Sequence, residues 1–399
     1  MPPANDAQTS TAGSLNTAAH AAFVPIGIVT VLLGPLLPTL SSRWLLNYVQ
    51  AGSLFTAQFL GSTVGVVVSG VVVSRLGFRF AINAGLFAMA LGVGALPFSP
   101  RFLGLVCIFC YGVGLGLAIP PINLFVAAVN PKRRSAALSL LNFSWSVGAV
   151  ACPFIVAAAA KVDRIQVFLV LLAGLLLLVL LGIAVVPSSF VAPATARHQD
   201  ERPGSSFLRW NRRSLFVLAA LFFLYVGTEN GFGGWIASYA KSLGSSSPTL
   251  PVMTPSFFYA ALMLGRWLAP FALRKTDEIL TARAGLAMAC IGMAGLVLSR
   301  TMPLVVTSVS VAGLGLSAVY PITISRLSQE FGSAATRAGS IMFTMANLGG
   351  ACLPWVVGYS SQRFNDLRAG LAVPLAATVL MHTLYRKNPI SVVWGRQPD

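Results

Sequence analysis

Twelve apolar stretches, each long enough to cross a lipid bilayer, run through this chain and restrict the folds open to it. A membrane-crossing helix needs about 20 apolar residues in a row. Stretches of about that length lie at 20–41, 50–74, 79–98, 102–128, 136–160, 164–186, 214–240, 252–273, 279–298, 302–325, 337–358 and 366–385. Because every backbone polar group in lipid must be hydrogen-bonded, these stretches are predicted to be helices. We therefore predict an all-α membrane protein with twelve transmembrane helices.

Composition supports this class and excludes others. Hydrophobic residues make up 56% of the 399 positions and charged residues only 9%, a balance that would leave apolar surface uncovered on a water-soluble fold. The formal net charge of +17 raises the question of nucleic-acid binding. The basic residues are instead scattered singly between apolar stretches, which is typical of the positive-inside bias of membrane proteins. We predict no nucleic-acid partner.

A polar break divides the chain nearly in half. Residues 187–213 are polar and charged and contain Pro and Gly, which predicts a linker. The predicted segments are a disordered tail (1–19), a six-helix bundle (20–186), a cytoplasmic linker (187–213), a second six-helix bundle (214–385) and a C-terminal tail (386–399). With both termini in the cytoplasm, 18 Lys and Arg residues lie on the cytoplasmic side and eight on the other. We therefore predict cytoplasmic termini.

The two halves carry similar glycine and proline motifs. Several motifs of the first half recur about 200 residues later. The matched positions are Gly114 and Gly116 with Gly313 and Gly315, Pro121 with Pro321, Gly148 with Gly349, and Pro153 with Pro354. This recurrence predicts two parallel six-helix repeats, an arrangement used by transporters that work by alternating access.

The stretch from Gly112 to Pro153 carries a family resemblance. It contains GVGLGLAIPPINLFV, then Asn-Pro and basic residues, then ALSLLN, a Trp and GAVACP. It resembles helices four and five of the major facilitator superfamily, specifically those of its fucose-permease-like sugar and proton symporters. The resemblance implies a secondary active transporter that moves a small polar organic solute, with protons as the coupling ion. The carboxylates that bind protons in that branch align with Ile119 and Gly34 here, so another group would have to carry the proton.

Two ionisable side chains lie deep inside predicted spans, Glu229 in the seventh and Arg266 in the eighth. A charge in hydrocarbon is costly unless it is paired or hydrated, so both are candidate functional residues. One interpretation is proton coupling, in which Glu229 binds and releases a proton and Arg266 is its partner. The other is a permanent ion pair that fixes two helices. The sequence leaves both interpretations open.

Polar and aromatic side chains are concentrated in spans four, five, seven, ten and eleven, whereas span six is nearly all aliphatic. Amides and aromatic faces are the groups that a sugar-like ligand needs, so we predict a solute site in a cavity between the halves. The alternatives are interhelical hydrogen bonds for each Asn and the interfacial belt for each Trp or Tyr. The predicted substrate-binding residues are Asn123, Asn142, Trp145, Tyr225, Asn230, Trp235, Tyr320 and Asn347.

Motifs of enzymes and of ATP-driven pumps are missing from the sequence. No glycine-rich phosphate loop ends in Lys-Ser or Lys-Thr, and the three histidines, His20, His198 and His382, form no catalytic or metal-binding pattern. The pair Cys107 and Cys110 lacks the second pair that a metal site would need. We predict no cofactor, no metal and no enzymatic activity.

Three functions are compatible with these features. The favoured one is secondary transport of a small polar solute, sugar-like by preference. A drug or lipophile exporter is the alternative, but Gly148, Cys152 and Pro153 reproduce only a fragment of the span-five motif of the superfamily's antiporters. A non-transporting membrane sensor of the same fold is a distant third, because we expect such a protein to carry a large soluble appendage. We expect a monomer in a bacterial inner membrane, with the solute, the bilayer and protons as its partners.

Overall fold

The computed structural model of the protein describes residues 4–130, 134–185, 212–244, 247, 249–331 and 335–386. These residues form helices and short connections, and they contain no β-strand. The helices are α1 (Ala4–Val31), α2 (Leu33–Arg43), α3 (Tyr48–Ala95), α4 (Arg101–Val129), α5 (Arg134–Lys161), α6 (Ile165–Val185), α7 (Arg212–Ser242), α8 (Leu250–Ala272), α9 (Glu278–Leu298), α10 (Met302–Leu316), α11 (Val319–Phe331), α12 (Ala335–Phe364) and α13 (Leu367–Arg386).

The described helices form the twelve predicted crossings, although helices and crossings do not correspond one to one. Helices α1 and α2 meet at a bend of 42° and make one crossing, and α10 and α11 together make another. Helix α3 is 48 residues long and makes two crossings, because Gly77 interrupts it with φ 85° and ψ 169°. Only glycine adopts this backbone conformation without strain. The prediction of an all-α membrane protein is confirmed.

The ends of the predicted segments differ from the structure in two places. Helix α1 begins at Ala4, so residues 4–19, predicted to be a disordered tail, are helical. Alanine favours a helix and this segment contains several alanines, and the side chain of Asn130 donates a hydrogen bond to that of Asn16 (3.4 Å). Helix α7 begins at Arg212, inside the predicted linker. The rest of that linker, and residues 387–399 of the predicted C-terminal tail, lie outside the described residues.

The two halves repeat the same close helix contacts. At matched glycines of both halves, an added methyl group would collide with the backbone carbonyl of the neighbouring helix. The sequence-matched pair Gly148 and Gly349 meets the carbonyls of Val24 and Phe223. Gly114 and Gly315, which are not matched to each other in the sequence, meet the carbonyls of Gly85 and Gly285, both at 2.5 Å from the added carbon. Small residues let membrane helices approach this closely. The recurring glycines of the sequence are thus recurring packing contacts, which confirms the repeat.

The halves touch mainly through three helix pairs, α2 with α7, α3 with α12 and α5 with α8. Three hydrogen bonds join them near the membrane face opposite the chain termini, and we call this seam the closed face. They run from Thr56 Oγ1 to the Ala351 carbonyl (2.9 Å), from Ser256 Oγ to the Val150 carbonyl (2.9 Å) and from the Tyr48 N–H to Gln362 Oε1 (3.2 Å). In the described part of the chain, no extensive contact joins α4 or α5 to α11 or α12.

Candidate functional site

Helices α7 and α8 bring two half-buried charged side chains together near a tyrosine. Tyr225 and Glu229 are one turn apart on α7, and Arg266 lies on α8. The Tyr225 side chain is 1% exposed, and its hydroxyl lies in electrostatic range of both Glu229 and Arg266. Among the described residues, Glu229 and Arg266 do not form a direct ion pair within 4.0 Å.

The Tyr225 hydroxyl is a buried polar atom with no hydrogen-bond partner in the described part of the chain. It is near the Glu229 carboxylate and the Arg266 guanidinium, but neither meets it with hydrogen-bond geometry. Buried polar side-chain atoms in proteins are nearly always bonded to protein or water. An unsatisfied hydroxyl between a carboxylate and a guanidinium is thus suited to meet a ligand that both donates and accepts hydrogen bonds.

Aromatic rings from two further helices pack against Tyr225 and Arg266. The ring of Tyr320, on α11, stacks on that of Tyr225 with centroids 5.1 Å apart and an interplanar angle of 27°. The Arg266 guanidinium lies over the ring of Trp145, 5.8 Å from its centroid. Trp145 is on α5, so the first half of the chain contributes to the site. We call Trp145, Tyr225, Glu229, Arg266 and Tyr320 the central cluster.

Three predicted amides use their nitrogen inside their own helix. In each, the side-chain nitrogen donates to the carbonyl four residues earlier, a local bond common for polar residues in helices. The bonds are Asn123 to Ile119 (2.8 Å), Asn142 to Leu138 (2.9 Å) and Asn230 to Val226 (2.9 Å). Asn123 and Asn230 are half-buried and Asn142 is exposed. The described contacts do not join these three amides to the central cluster.

The remaining two predicted residues, Asn347 and Trp235, lie beside the seam where the two halves meet. Asn347 Oδ1 accepts a hydrogen bond from Ser62, which reaches across from α3 (3.4 Å). Trp235 is 1% exposed, and its Nε1 donates to the Pro354 carbonyl (3.0 Å). The Trp235 ring meets the Tyr48 ring edge-on at 6.2 Å. The structure therefore places Trp235 at the closed face, apart from the central cluster with which the sequence grouped it.

The sequence analysis missed two residues that support the central cluster. The Trp145 indole Nε1 donates to Thr30 Oγ1 (3.3 Å), and the side chain of Gln58 donates to the Thr30 carbonyl (3.0 Å). Gln58 is a lone amide in an apolar stretch and is 2% exposed. It lies in the second predicted span, outside the five spans from which the candidate residues were chosen. Thr30 carries no comparable signal, because threonine hydroxyls are common in membrane helices.

Among the described residues, no group of three or more His, Cys, Asp or Glu side chains is arranged to hold a metal ion. The five cysteines are free. The chemistry of the site therefore rests on one carboxylate, one guanidinium, hydroxyls, amides and aromatic rings.

The sequence of this chain matches one family model and is similar to a known transporter. The family model described as Major Facilitator Superfamily matches residues 20–354. A glucose/galactose transporter of Brucella abortus is 25% identical over 301 residues, which cover 70% of this chain and 72% of that protein.

Two solved structures illustrate the shared fold. An inward-facing bacterial homologue of the human lysosomal transporter Spinster superposes with a TM-score of 0.76 at 13% identity, covering 96% of this chain and 97% of the other. The E. coli fucose:proton symporter FucP, in its outward conformation, gives 0.66 at 19% identity, covering 93% and 97%.

Proposed function

The chain belongs to the major facilitator superfamily, and from that premise we propose that it carries a neutral, sugar-like solute which binds at the central cluster. The cluster draws residues from both halves, as a midplane site between repeats requires. Alternating access would then expose the solute first to one side of the membrane and then to the other. The curated relative's name, glucose/galactose transporter, supports the same solute class.

The observation that carries this proposal is the unsatisfied Tyr225 hydroxyl between Glu229 and Arg266. A sugar hydroxyl donates and accepts hydrogen bonds at once, so it suits a carboxylate, a guanidinium and a phenol together. The rings of Tyr320 and Trp145, which are only partly buried, offer apolar surfaces for the C–H faces of the sugar. Because the cluster holds one charge of each sign, it favours a solute without net charge.

A ligand screen tests the solute class. Purified protein is heated with D-glucose, D-galactose, L-fucose, amino acids or lipophilic cations, because a ligand of the native state raises its melting temperature. At 100 times its Kd, a ligand stabilises the native state by about 2.7 kcal/mol. We expect one or more sugars to raise the melting temperature. Stabilisation by lipophilic cations alone would favour the exporter and overturn the proposal.

We further propose that Glu229 carries the coupling proton. It is not locked in a direct ion pair with Arg266 among the described residues, and the positions of the branch's acids are Ile119 and Gly34. The variant Glu229→Gln should exchange solute in counterflow but fail to accumulate it in proteoliposomes with an imposed proton gradient. Glu278→Gln is the control, because Glu278 accepts a hydrogen bond from Ser325 (2.8 Å) at the start of α9, away from the cluster. Gradient-driven accumulation in a folded Glu229→Gln protein would refute this role.

A further inference from the structure

The Trp145 ring of the central cluster is tied at its nitrogen to a single hydroxyl. Its Nε1 donates to Thr30 Oγ1 (3.3 Å), and that hydroxyl in turn donates to the Ile26 carbonyl (2.7 Å). The Thr30 hydroxyl therefore both accepts and donates a hydrogen bond, and these two bonds fix the direction of its O–H. The backbone of Trp145 is fixed as well, because an added methyl at Gly27 would collide with the Trp145 carbonyl. With both ends held, the plane of the indole ring is determined.

Thr30 is itself held by a buried chain of hydrogen bonds. It lies in the last turn of α1, where backbone carbonyls lack partners inside the helix. Gln58 Nε2 donates to the Thr30 carbonyl (3.0 Å), and Tyr111 Oη donates to Gln58 Oε1 (3.1 Å). Gln58 is 2% exposed and Tyr111 is fully buried. The chain runs from α4 through α3 and α1 to α5, so it connects four helices of the first half.

We propose that Thr30 is a positioning residue for solute recognition, which sets the plane of the Trp145 ring that Arg266 and the solute contact. Gln58 and Tyr111 hold Thr30 at the bend between α1 and α2. The Arg266 guanidinium, which belongs to the other half, lies over the face that this chain orients. The expected effect of Thr30 on solute affinity rests on the proposed function, whereas the orientation of the Trp145 ring by Thr30 does not depend on it.

The test compares three threonine substitutions, two that remove a hydroxyl and one that keeps it. Thr30→Val keeps the shape of the side chain but removes the acceptor of the indole N–H, whereas Thr30→Ser keeps the hydroxyl. Thr63→Val is the matched control, because the Thr63 hydroxyl bonds only within α3, to the Phe59 carbonyl (2.9 Å). The Trp145 indole N–H signal is followed by ¹⁵N NMR of the full-length protein, and it is assigned by its loss in Trp145→Phe. Binding of D-glucose and D-galactose is measured on the same samples.

We expect Thr30→Val to move the Trp145 indole signal and to weaken sugar binding about two- to tenfold, the effect of one hydrogen bond. Thr30→Ser and Thr63→Val should leave both unchanged. Trp145→Phe should weaken binding similarly, and Thr30→Val should add little to it, because residues in one network are not additive. An unmoved indole signal in a folded Thr30→Val protein overturns the proposal.

The proposed solute class and the proposed positioning role of Thr30 can be refuted independently of each other. If the unaltered protein binds neither sugar, the solute class is wrong, and the indole signal alone decides whether Thr30 positions Trp145. If Thr30→Val does not fold, Gln58→Leu provides the second variant, because it removes the donor to the Thr30 carbonyl. It should move the same indole signal, and an unmoved signal overturns the proposal.

Discussion

At the scale of single residues, the two buried tyrosine hydroxyls of α7 differ in their partners. Tyr239 donates to the Ser299 carbonyl (2.7 Å), whereas Tyr225 has no hydrogen-bond partner among the described residues. A hydroxyl with a protein partner stabilises the fold, and losing it leaves the partner unsatisfied at a cost of about 1–3 kcal/mol. A buried hydroxyl without one makes no such contribution. The first supports the structure through its hydrogen bond, and the second does not.

This difference predicts opposite outcomes for the same substitution. Tyr225→Phe should leave the melting temperature unchanged or raise it, while weakening sugar binding about two- to tenfold, because one solute hydrogen bond is lost. Tyr239→Phe should lower the melting temperature and leave sugar affinity unchanged. Thermal unfolding and a binding isotherm on each variant check both outcomes. A destabilised Tyr225→Phe protein with normal affinity would contradict the role assigned to this hydroxyl.

The sequence identified charged site residues better than neutral ones. Glu229 and Arg266 stand out because charge in an apolar span is rare and costly. Thr30 does not stand out, because its function depends on a neighbour 115 positions away that only the fold supplies. Trp235 also stands out in the sequence, but the structure places it at the closed face. Its chemistry fits a sugar site, but helical spacing gives the face of a helix and not its depth in the membrane.

At the scale of helices, the crossing of α1 and α5 depends on small residues at the contact. An added methyl at Gly148 would collide with the Val24 carbonyl. Backbone atoms cannot move aside as a flexible side chain can, so the helices would have to separate. Gly174 on α6 has nothing within 4 Å of its added methyl. The two glycines are therefore a matched pair in similar helices.

We predict that Gly148→Ala destabilises the protein by about 1–3 kcal/mol through overpacking. Gly174→Ala should be neutral or stabilising by about 0.5–1 kcal/mol, because alanine is the better helix residue. Thermal unfolding in one detergent measures both. Equal melting temperatures for the two variants would show that the crossing is looser than the structure indicates.

Helix existence was predictable, but helix continuity was not. The length and hydropathy of each stretch were sufficient to predict twelve crossings. Two crossings are joined in the single helix α3, and two other crossings are each divided, into α1 and α2 and into α10 and α11. These features depend on local backbone angles such as those at Gly77. Apolar periodicity carries little information about such angles. For the same reason, the start of α1 at Ala4 was missed.

At the scale of the whole molecule, the closed face fixes one conformation of the transport cycle. An added methyl at Gly52 on α3 would lie 2.9 Å from the Trp355 Cα on α12, across the seam between the halves. Gly52→Trp should therefore force this seam open and favour the opposite conformation. Spin labels at Val162 and Phe364, which are 61% and 70% exposed, should report longer distances in this variant. Gly182→Trp, with open space around residue 182, should leave the distances unchanged.

The orientation in the membrane remains a prediction, based on the bias of 18 basic residues against eight. It is tested by labelling single cysteines with a membrane-impermeant reagent in a cysteine-free background. Val162→Cys lies in a connection opposite the termini, and Lys275→Cys lies in one on the same side as the termini; both positions are exposed. Intact cells should label residue 162 and not residue 275. Labelling of residue 275 but not of residue 162 would show that the termini lie outside the cell.

The hydrogen bonds of the closed face have a consequence for how the protein tolerates change over evolution. Thr56 and Ser256 each donate from one half to a main-chain carbonyl of the other, at Ala351 and Val150. Every amino acid brings such a carbonyl, so no substitution at residue 351 or 150 removes the acceptor. Of these two bonds, only the donors are exposed to loss by mutation, whereas the third bond of the closed face depends on the Gln362 side chain. The halves can therefore diverge in sequence without compensating pairs of changes and still shut against each other.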